Sequence, residues 1–154
     1  MPDRVILIAA VTVDGYIARH NLEITDWSQD LKLFKDQTMG WPIIMGSNTF
    51  KTLANELSGR ENIVVSRSDN PGQILSSIKA GKCFVIGGGK THFRFLKYIT
   101  DVFITPHPHV FGSGVPLFSG ENIPEISLEF ERLLEVNKSR GIFQYQYKVK
   151  NIFD

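Results

Sequence analysis

The sequence predicts one α/β domain spanning 1–154, with a single mixed, mostly parallel central sheet flanked by helices and an antiparallel hairpin at the C-terminal end. Three observations predict this class. Short apolar runs alternate with helical patterns over the first two thirds of the chain, which is typical of parallel sheets. Two long strand-like segments, 126–136 and 141–150, then follow one another without a helix between them. The 154 residues are 42% hydrophobic and contain no repeat, low-complexity segment or linker, so one core is expected.

The predicted strands of the alternating region are short. The first, VILIAA, is a continuous apolar run, which suits a strand buried on both faces. Glycine, serine or proline lies at the end of each later run, where a turn is expected. The predicted strands are 5–10, 42–45, 62–66, 83–86 and 102–106.

Four helices are expected between these strands. Asp26 and Gln29 have the spacing of a capping box, so the first helix is expected to begin near Trp27. Ser47 or Asn48 is a suitable N-cap for the second helix. The predicted helices are 27–38, 47–55, 73–80 and 90–98.

The remaining segments are predicted to be connections. The polar stretch from the first strand to Asp26 and the Gly/Pro-rich stretch HVFGSGVPLFSG are expected to be loops. The residues NKSRG between the two C-terminal segments indicate a hairpin turn. Lys148 and Lys150 are expected on the solvent face of an edge strand.

Charge and hydropathy argue against nucleic-acid and membrane partners. The formal net charge is +1, and the basic residues are scattered without the interleaved aromatics of a nucleic-acid groove. The longest apolar stretch, VILIAAV, is far too short to cross a bilayer, and it has neither a leading cationic segment nor a clear cleavage site. We therefore expect a cytoplasmic protein without a signal peptide.

No metal site is expected. The single cysteine, Cys83, permits no intramolecular disulfide and no thiolate zinc cluster, and its place in an apolar strand indicates buried packing. His107 and His109 flank Pro108, but without a third ligand they are interpreted as loop histidines.

The strongest local signal for a ligand is FVIGGGKTHF, at 84–93. Three glycines between a buried strand and a helix expose main-chain N–H groups at a helix N-terminus, which favours a phosphate. The alternative is a tight turn that needs a positive φ at one glycine. The spacing is not GxGxxG, so a dinucleotide fingerprint of that type is not indicated.

Two further strand ends carry polar groups that suit a ligand. MGSNTF, at 45–50, is by itself most simply a helix N-cap, but it adds a second helix start at the carboxyl end of a predicted strand. Ser66, Arg67 and Ser68 follow another strand. A guanidinium between hydroxyls can hold a phosphate monoester, such as the 2′-phosphate of NADP, and the alternative is a solvated loop arginine.

Asp30 is unexpected beside the apolar residues Trp27, Leu31 and Phe34, which share one helical face. It can be an exposed rim residue, a partner of the helix dipole, one half of a salt bridge, or a functional carboxylate.

Together these segments resemble the dihydrofolate reductase family, in order from about residue 5 to the final hairpin. The resemblance rests on ILIAAVTVDGYIA, QDLKLFKDQTMGWPIIMGSNTF, SGRENIVVSR, VIGGGKTHFRFL and FITPHP. The residues that match the family pattern of the second segment are Asp30, Phe34, Thr38, Pro42, Met45, Gly46 and Thr49.

The resemblance implies a role for each site residue. Asp30 would bind the ring nitrogen and exocyclic amine of the pterin, supported by Thr105, and Arg60 would bind the α-carboxylate of the glutamate tail. The other implied substrate-binding residues are Ile8, Leu31, Phe34 and Leu57. The implied cofactor-binding residues are Ala10, Ile17, Gly46, Ser47, Thr49, Ser66, Arg67, Ile86, Gly87, Gly88, Gly89, Lys90 and His92.

The implied reaction is hydride transfer from NADPH to pterin C6 of 7,8-dihydrofolate, with protonation at N5, in a monomer or homodimer. Three departures from the family pattern are the loop ARHNLEITD, which lacks a Pro-Trp element, Ser47 in place of a basic residue, and His92 in place of an aromatic one. VDGYIA and VFGSGVPLF look more like the reductase domain of riboflavin biosynthesis, which shares the fold. An NADPH-dependent pyrimidine reductase of that pathway is therefore one alternative. A non-catalytic NADPH-binding module, supported by the short loop before Trp27, is the other.

Overall fold

The computed structural model describes residues 1–53 and 55–153, and these residues form nine strands and four α-helices. The strands are β1 (Arg4–Thr12), β2 (Tyr16–Ala18), β3 (Ile43–Gly46), β4 (Asn62–Val65), β5 (Lys82–Gly87), β6 (Asp101–His107), β7 (Val115–Pro116), β8 (Glu125–Asn137) and β9 (Ile142–Phe153). The helices are α1 (Leu31–Thr38), α2 (Ser47–Thr52), α3 (Pro71–Ser77) and α4 (Gly89–Phe95). Two 3-10 turns span Leu96–Tyr98 and Lys138–Arg140.

Seven of the strands form the central sheet, in the order β4-β3-β5-β1-β6-β9-β8. The first five strands in this order are parallel, whereas β9 is antiparallel to β6 and β8 is antiparallel to β9. The predicted mixed sheet and its C-terminal hairpin are therefore confirmed. The carboxyl ends of the five parallel strands lie at one edge of the sheet, where this architecture binds ligands.

The first strand is apolar at successive positions because both faces of β1 are buried. Val5 and Leu7 belong to one hydrophobic core, and Ile6 and Ile8 belong to the core on the other face. Such burial favours a continuous apolar run over an alternating pattern. Cys83, on the neighbouring strand β5, is fully buried, as expected for a packing residue.

The first helix begins at Leu31, so the predicted start near residue 27 is wrong. The expected capping box does not form, because the main-chain N–H of Gln29 donates to Nε2 of His107 at 2.9 Å and Asp26 lies in a local turn. This long-range hydrogen bond holds the preceding segment outside the helix. Asp30 consequently becomes the N-cap residue of α1.

The other predicted helices are present with different bounds. α2 ends at Thr52, before the predicted end, and Ala54 lies outside the described residues. α3 begins at Pro71, because the side chain of Asn70 accepts the main-chain N–H of Gln73 and caps the helix there. The last predicted helix divides into α4 and the 3-10 turn that follows it. No helix within the described ranges combines the length and apolarity needed to span a membrane.

A small antiparallel sheet, β2–β7, joins two segments that were predicted to be loops. Tyr16 pairs with Pro116, and Ala18 pairs with Val115. Strands of three and two residues are too short to show an alternating pattern, so the sequence carried no periodic signal for them.

The expectation that Lys148 and Lys150 lie on an edge strand is wrong, because β9 lies inside the sheet and β8 forms the edge. Both side chains nevertheless reach solvent, since Lys150 is exposed and Lys148 is 43% exposed. Nζ of Lys148 lies 2.8 Å from Oδ2 of Asp101, and Nη2 of Arg4 lies 3.1 Å from the same atom. Asp101 is fully buried at the start of β6, so one carboxylate links β1, β6 and β9. Burial acts to raise the pKa of Asp101, but hydrogen bonds from Arg4, Lys148 and Thr100 hold that pKa below its usual value.

Candidate active site

A cavity of about 730 Å³ lies at the carboxyl edge of the parallel strands. Its wall includes the ends of β1, β3 and β5, the first residues of α2 and α4, helix α1, and much of segment 19–30. Its volume is in the range of pockets for cofactors and small substrates.

The cavity wall contains all but one of the site residues that the resemblance implies. On the substrate side they are Ile8, Asp30, Leu31, Phe34, Leu57 and Arg60. On the cofactor side they are Ala10, Ile17, Gly46, Ser47, Thr49, Ser66, Arg67, Ile86, Gly87, Gly88, Gly89, Lys90 and His92. The exception is Thr105, which is fully buried in β6 and whose hydroxyl has no hydrogen-bond partner among the described residues.

Asp30 is a buried carboxylate in the cavity wall, with 6% of its surface exposed. Its Oδ1 accepts a hydrogen bond from the hydroxyl of Ser28 at 2.7 Å. Its side chain makes no capping hydrogen bond to α1, and none of the ion pairs within 1–53 and 55–153 includes it. Of the explanations offered by the sequence, the exposed rim residue and the salt bridge are thus ruled out for the described residues.

Apolar side chains surround the substrate side of the cavity. Phe34 and Leu57 are half-buried and pack on the core that contains Ile8. Leu31, the first residue of α1, also lines the cavity, but it is 61% exposed. This part of the wall can therefore hold a flat apolar group next to the carboxylate of Asp30.

Arg60 is a cation on the same side of the cavity as α1, where Lys35 of that helix also lines the wall. Nη1 of Arg60 donates to the hydroxyl of Thr38 at 3.1 Å, and Nε donates to the carbonyl of Ser58 at 3.0 Å. Partial burial lowers the pKa of Arg60, yet an arginine remains charged in proteins. Two contacts thus orient the guanidinium, whose other N–H groups can bind an anion.

Two of the three glycines at the end of β5 have structural reasons that are independent of a ligand. Gly87 has a φ of 141°, which a residue with a side chain rarely adopts. A Cβ atom on Gly89 would lie 2.5 Å from the carbonyl oxygen of Pro116, so the close approach of β7 requires glycine there. Gly88 has neither constraint, since a Cβ atom on it would meet only the hydroxyl of Thr49 at 3.7 Å. The glycine run is therefore weaker evidence for phosphate binding than the sequence indicated.

The loop after β4 is stabilised by hydrogen bonds to a carboxylate within the loop and to an arginine on α4. The carboxylate of Asp69 accepts the main-chain N–H of Ser66 at 2.7 Å and the Ser66 hydroxyl at 3.1 Å, and these hydrogen bonds hold the pKa of Asp69 below its usual range. On the other side, Arg94 donates to the main-chain carbonyls of Ser66 and Asp69. Arg67 is exposed on this loop and takes part in no hydrogen bond or ion pair recorded among the described side chains.

Sequence reasoning missed Arg94, which also lines the cavity. The available signal was its spacing of four residues from Lys90, which places the two cations on one face of α4. Lys51 lines the same cavity, so the cofactor side of the wall is rich in positive charge.

His92 is fully buried in α4 at the cavity wall. Its Nδ1 lies 2.8 Å from the carbonyl oxygen of Leu117, and since a carbonyl only accepts, Nδ1 carries the proton. Burial lowers the pKa of His92 to about 4, so the ring is neutral at physiological pH. Nε2 has no hydrogen-bond partner among the described residues.

His107 lies at the end of β6 and is buried, so its interpretation as a loop histidine is wrong. Its partners could not be inferred from the sequence, because both are main-chain groups and one lies in a distant segment. Within residues 1–53 and 55–153, no group of three or more His, Cys, Asp or Glu side chains is arranged to hold a metal ion.

Comparison with known proteins places this site in a family. A sequence model of dihydrofolate reductase matches residues 4–115. The dihydrofolate reductase of Bacillus subtilis (strain 168) is 36% identical over 114 residues, which cover 65% of this chain and 68% of that protein. Dihydrofolate reductase type 3 of Salmonella typhimurium is 32% identical over 113 residues, covering 64% and 68% respectively.

Solved structures share the fold along almost the whole chain. A dihydrofolate reductase from Enterococcus faecalis, complexed with NADP(H) and RAB-propyl, aligns with a TM-score of 0.73 at 19% identity, covering 98% of this chain and 99% of that one. A protein from Shewanella sp. PV-4 assigned to riboflavin biosynthesis aligns with a TM-score of 0.60 at 20% identity, covering 96% and 99%. The resemblance inferred from the sequence motifs is confirmed, and the chain belongs to the dihydrofolate reductase family, a family of oxidoreductases.

Proposed function

We propose that this chain catalyses the NADPH-dependent reduction of 7,8-dihydrofolate to tetrahydrofolate. The observation that carries the proposal is the buried carboxylate of Asp30, which lines the cavity with Ser28 as its hydrogen-bond donor and without a paired cation in the described residues. Such a group is costly to bury unless a ligand supplies donors. A dihydropterin presents two adjacent N–H donors, at N3 and at the 2-amino group, which match the two carboxylate oxygens.

The remainder of the proposed substrate matches the same side of the cavity. The p-aminobenzoyl group would pack against Ile8, Phe34 and Leu57, which are apolar and line the wall. The α-carboxylate of the glutamate tail would bind Arg60. This arginine has five N–H donors, and Ser58 and Thr38 accept hydrogen bonds from only two of its nitrogens.

The cofactor would occupy the side of the cavity formed by the ends of β3, β4 and β5. Its 2′-phosphate would bind Arg67 and Ser66, since the loop that carries them is already held by Asp69 and Arg94. The fit is supported by the exposure of Arg67 and by the cations Lys51, Lys90 and Arg94 in the wall. When bound, NADPH supplies the hydride that reduces the pterin at C6.

The protein contributes orientation and a charged environment to this reaction. Asp30 would fix the pterin ring through a bidentate hydrogen bond, and its negative charge would favour protonation at N5. We expect water to deliver that proton. Thr105 would support the pterin edge or Asp30, and its unpaired, buried hydroxyl is the observation behind this assignment.

The main alternative is a pyrimidine reductase of riboflavin synthesis, and the fold similarity to the Shewanella protein favours it. In that function Arg60 would bind the phosphate of the substrate. This alternative ranks second, because the matched sequence family is that of dihydrofolate reductase.

The test is to follow NADPH oxidation with each substrate in turn, dihydrofolate and the ribosylaminopyrimidine phosphate. We expect turnover with dihydrofolate and none with the pyrimidine. Preferred turnover of the pyrimidine would overturn the proposal in favour of the riboflavin-pathway reductase. Tight NADPH binding without turnover of either substrate would instead indicate a non-catalytic NADPH-binding module.

A further inference from the structure

We propose that His107 is a positioning residue, which fixes the segment before α1, and with it Asp30, against the strand that carries Thr105. The catalytic roles of Asp30 and Thr105 rest on the function proposed above. The position of His107 itself rests on contacts that involve no substrate.

His107 bridges two main-chain groups from different parts of the fold. Its Nδ1 lies 2.8 Å from the carbonyl oxygen of Thr105, and its Nε2 lies 2.9 Å from the main-chain nitrogen of Gln29. The carbonyl can only accept and the peptide N–H can only donate, so His107 must carry its proton on Nδ1 and a lone pair on Nε2. The ring is 1% exposed, so water does not compete for either contact.

Gln29 is the residue immediately before Asp30, and both its main chain and its side chain are hydrogen-bonded. Its main-chain N–H donates to His107, and its side-chain Oε1 accepts from Nδ2 of Asn137 at 3.0 Å. The hydrogen bond to His107 keeps Gln29 out of α1, which begins only at Leu31. Asp30 therefore occupies a fixed N-cap position at the cavity.

His107 also packs against the aromatic side chain of the same segment. The ring of Trp27 meets His107 edge to face, with centroids 5.2 Å apart and planes at 89°, and it meets Phe111 at 5.4 Å. The indole N–H of Trp27 donates to Glu23 at 3.2 Å, and Glu23 pairs with Arg19 at 2.7 Å. The buried ring of His107 thus packs against Trp27, which lines this part of the cavity.

Removal of the Nε2 acceptor should affect the substrate side of the cavity more than the cofactor side. Gln29 would lose a buried hydrogen bond, and Asp30 next to it could leave the geometry needed to orient a ligand. Ser66 and Arg67 follow β4, which three strands separate from β6 in the sheet. A change in His107 should therefore leave the binding of NADPH nearly unchanged.

The test compares His107→Phe, which keeps a ring without the acceptor, with His107→Gln, whose side-chain oxygen can take the place of Nε2. The matched control is His109→Phe, because His109 also contacts the ring of Trp27 but is not bonded to Gln29. In the first variant we expect amide hydrogen exchange at Gln29 to be about tenfold faster, and kcat/KM for dihydrofolate to fall about tenfold, with the KM for NADPH unchanged. The glutamine variant should restore both quantities, and the control should change neither.

A second measurement requires no variant and no substrate. Nitrogen NMR of the histidine side chains of the wild-type chain at neutral pH should show His107 neutral and protonated on Nδ1. A proton on Nε2 of wild-type His107 would overturn the proposal, and this result does not depend on whether a variant folds. Slow exchange at Gln29 in folded His107→Phe would overturn it as well. If wild-type chain does not reduce dihydrofolate, the proposed function fails, while the tautomer and the exchange rates still decide the role of His107.

Discussion

Arg94 donates a hydrogen bond from Nη1 to the main-chain carbonyl of Ser66 at 2.9 Å, so α4 directly supports the loop that follows β4. The carboxylate of Asp69 holds the same loop from within, through the main-chain N–H and the hydroxyl of Ser66. Arg67 therefore extends from a loop that is ordered before any anion binds, which reduces the entropy cost of binding.

Replacement of Arg94 by glutamine should weaken NADPH binding, although Arg67 and Ser66, the residues proposed to contact the 2′-phosphate, are unchanged. We expect the KM for NADPH to rise about tenfold with little change in kcat, because the loop loses charge-assisted hydrogen bonds that water replaces only in part. The control is Arg132→Gln, an exposed arginine on the edge strand β8. Equal KM values in the two variants would contradict this role of Arg94.

Replacement of Arg67 by glutamine should change the choice of cofactor. Arg67→Gln removes the cation proposed for the 2′-phosphate, so kcat/KM for NADPH should fall about tenfold or more while that for NADH, which has no such phosphate, stays the same. The measurement is kcat/KM for both cofactors in the wild-type chain and the variant. A parallel loss with NADH would show that Arg67 maintains the loop rather than recognising the phosphate.

His92 should make the folded state sensitive to mild acid. Its pKa falls from 6.5 in the unfolded chain to about 4 in the fold, so between these values the unfolded state binds a proton that the folded state does not. Stability is thus retained above this window and lost as the pH falls through it, by up to about 3 kcal/mol. Urea unfolding across this pH window should show that the free energy of unfolding falls less with acid in His92→Phe than in wild type. The exposed control His20→Phe should keep the wild-type slope, and an unchanged slope in His92→Phe would refute the prediction.

Asp101 should contribute to stability through its two cations. Asp101→Asn leaves Arg4 and Lys148 without their anion. Because their side chains are 37% and 43% exposed, they can turn toward water. We therefore expect the free energy of unfolding to fall by about 2 kcal/mol, which is less than for a fully buried pair. Because the pKa of Asp101 is lowered in the fold, its stabilisation exists above the pKa of the unfolded carboxyl and disappears as the pH falls through the folded value. Urea unfolding of Asp101→Asn and of the exposed control Asp3→Asn near neutral pH measures the difference. An equal effect of the two substitutions would contradict it.

The sequence predicted the elements whose signals are local. The continuous apolar run of β1 indicates burial on both faces, and the turn NKSRG ends in Gly141 with a φ of 70°, which glycine tolerates. The site residues of β3, α2 and β5 were found because strand ends and glycines lie next to one another in the sequence. The family pattern then proposed roles for Asp30, which was locally notable only for its apolar neighbours, and for Arg60, which no local signal separates from surface residues.

The wrong start of α1 has a different cause, a contact between distant segments. Asp26 and Gln29 have capping-box spacing, but the hydrogen bond to His107, 78 positions away, prevents the helix from starting there. Gly89 was predicted from its place in a glycine run beside a ligand, and its close approach to the carbonyl of Pro116, in a distant segment, is a second reason for glycine that spacing does not show. Tertiary contacts of this kind override local propensity and cannot be inferred from spacing alone.

The most direct test of the central claim compares Asp30→Asn with the matched control Asp36→Asn, an exposed aspartate on the same helix. Both substitutions remove one negative charge, but only the first changes the carboxylate in the cavity wall. We measure kcat/KM for dihydrofolate at saturating NADPH, together with the binding of NADPH to each variant. The account predicts a loss of about a hundredfold or more in Asp30→Asn, with NADPH binding intact and Asp36→Asn unchanged. Turnover in Asp30→Asn equal to that of the control would contradict it.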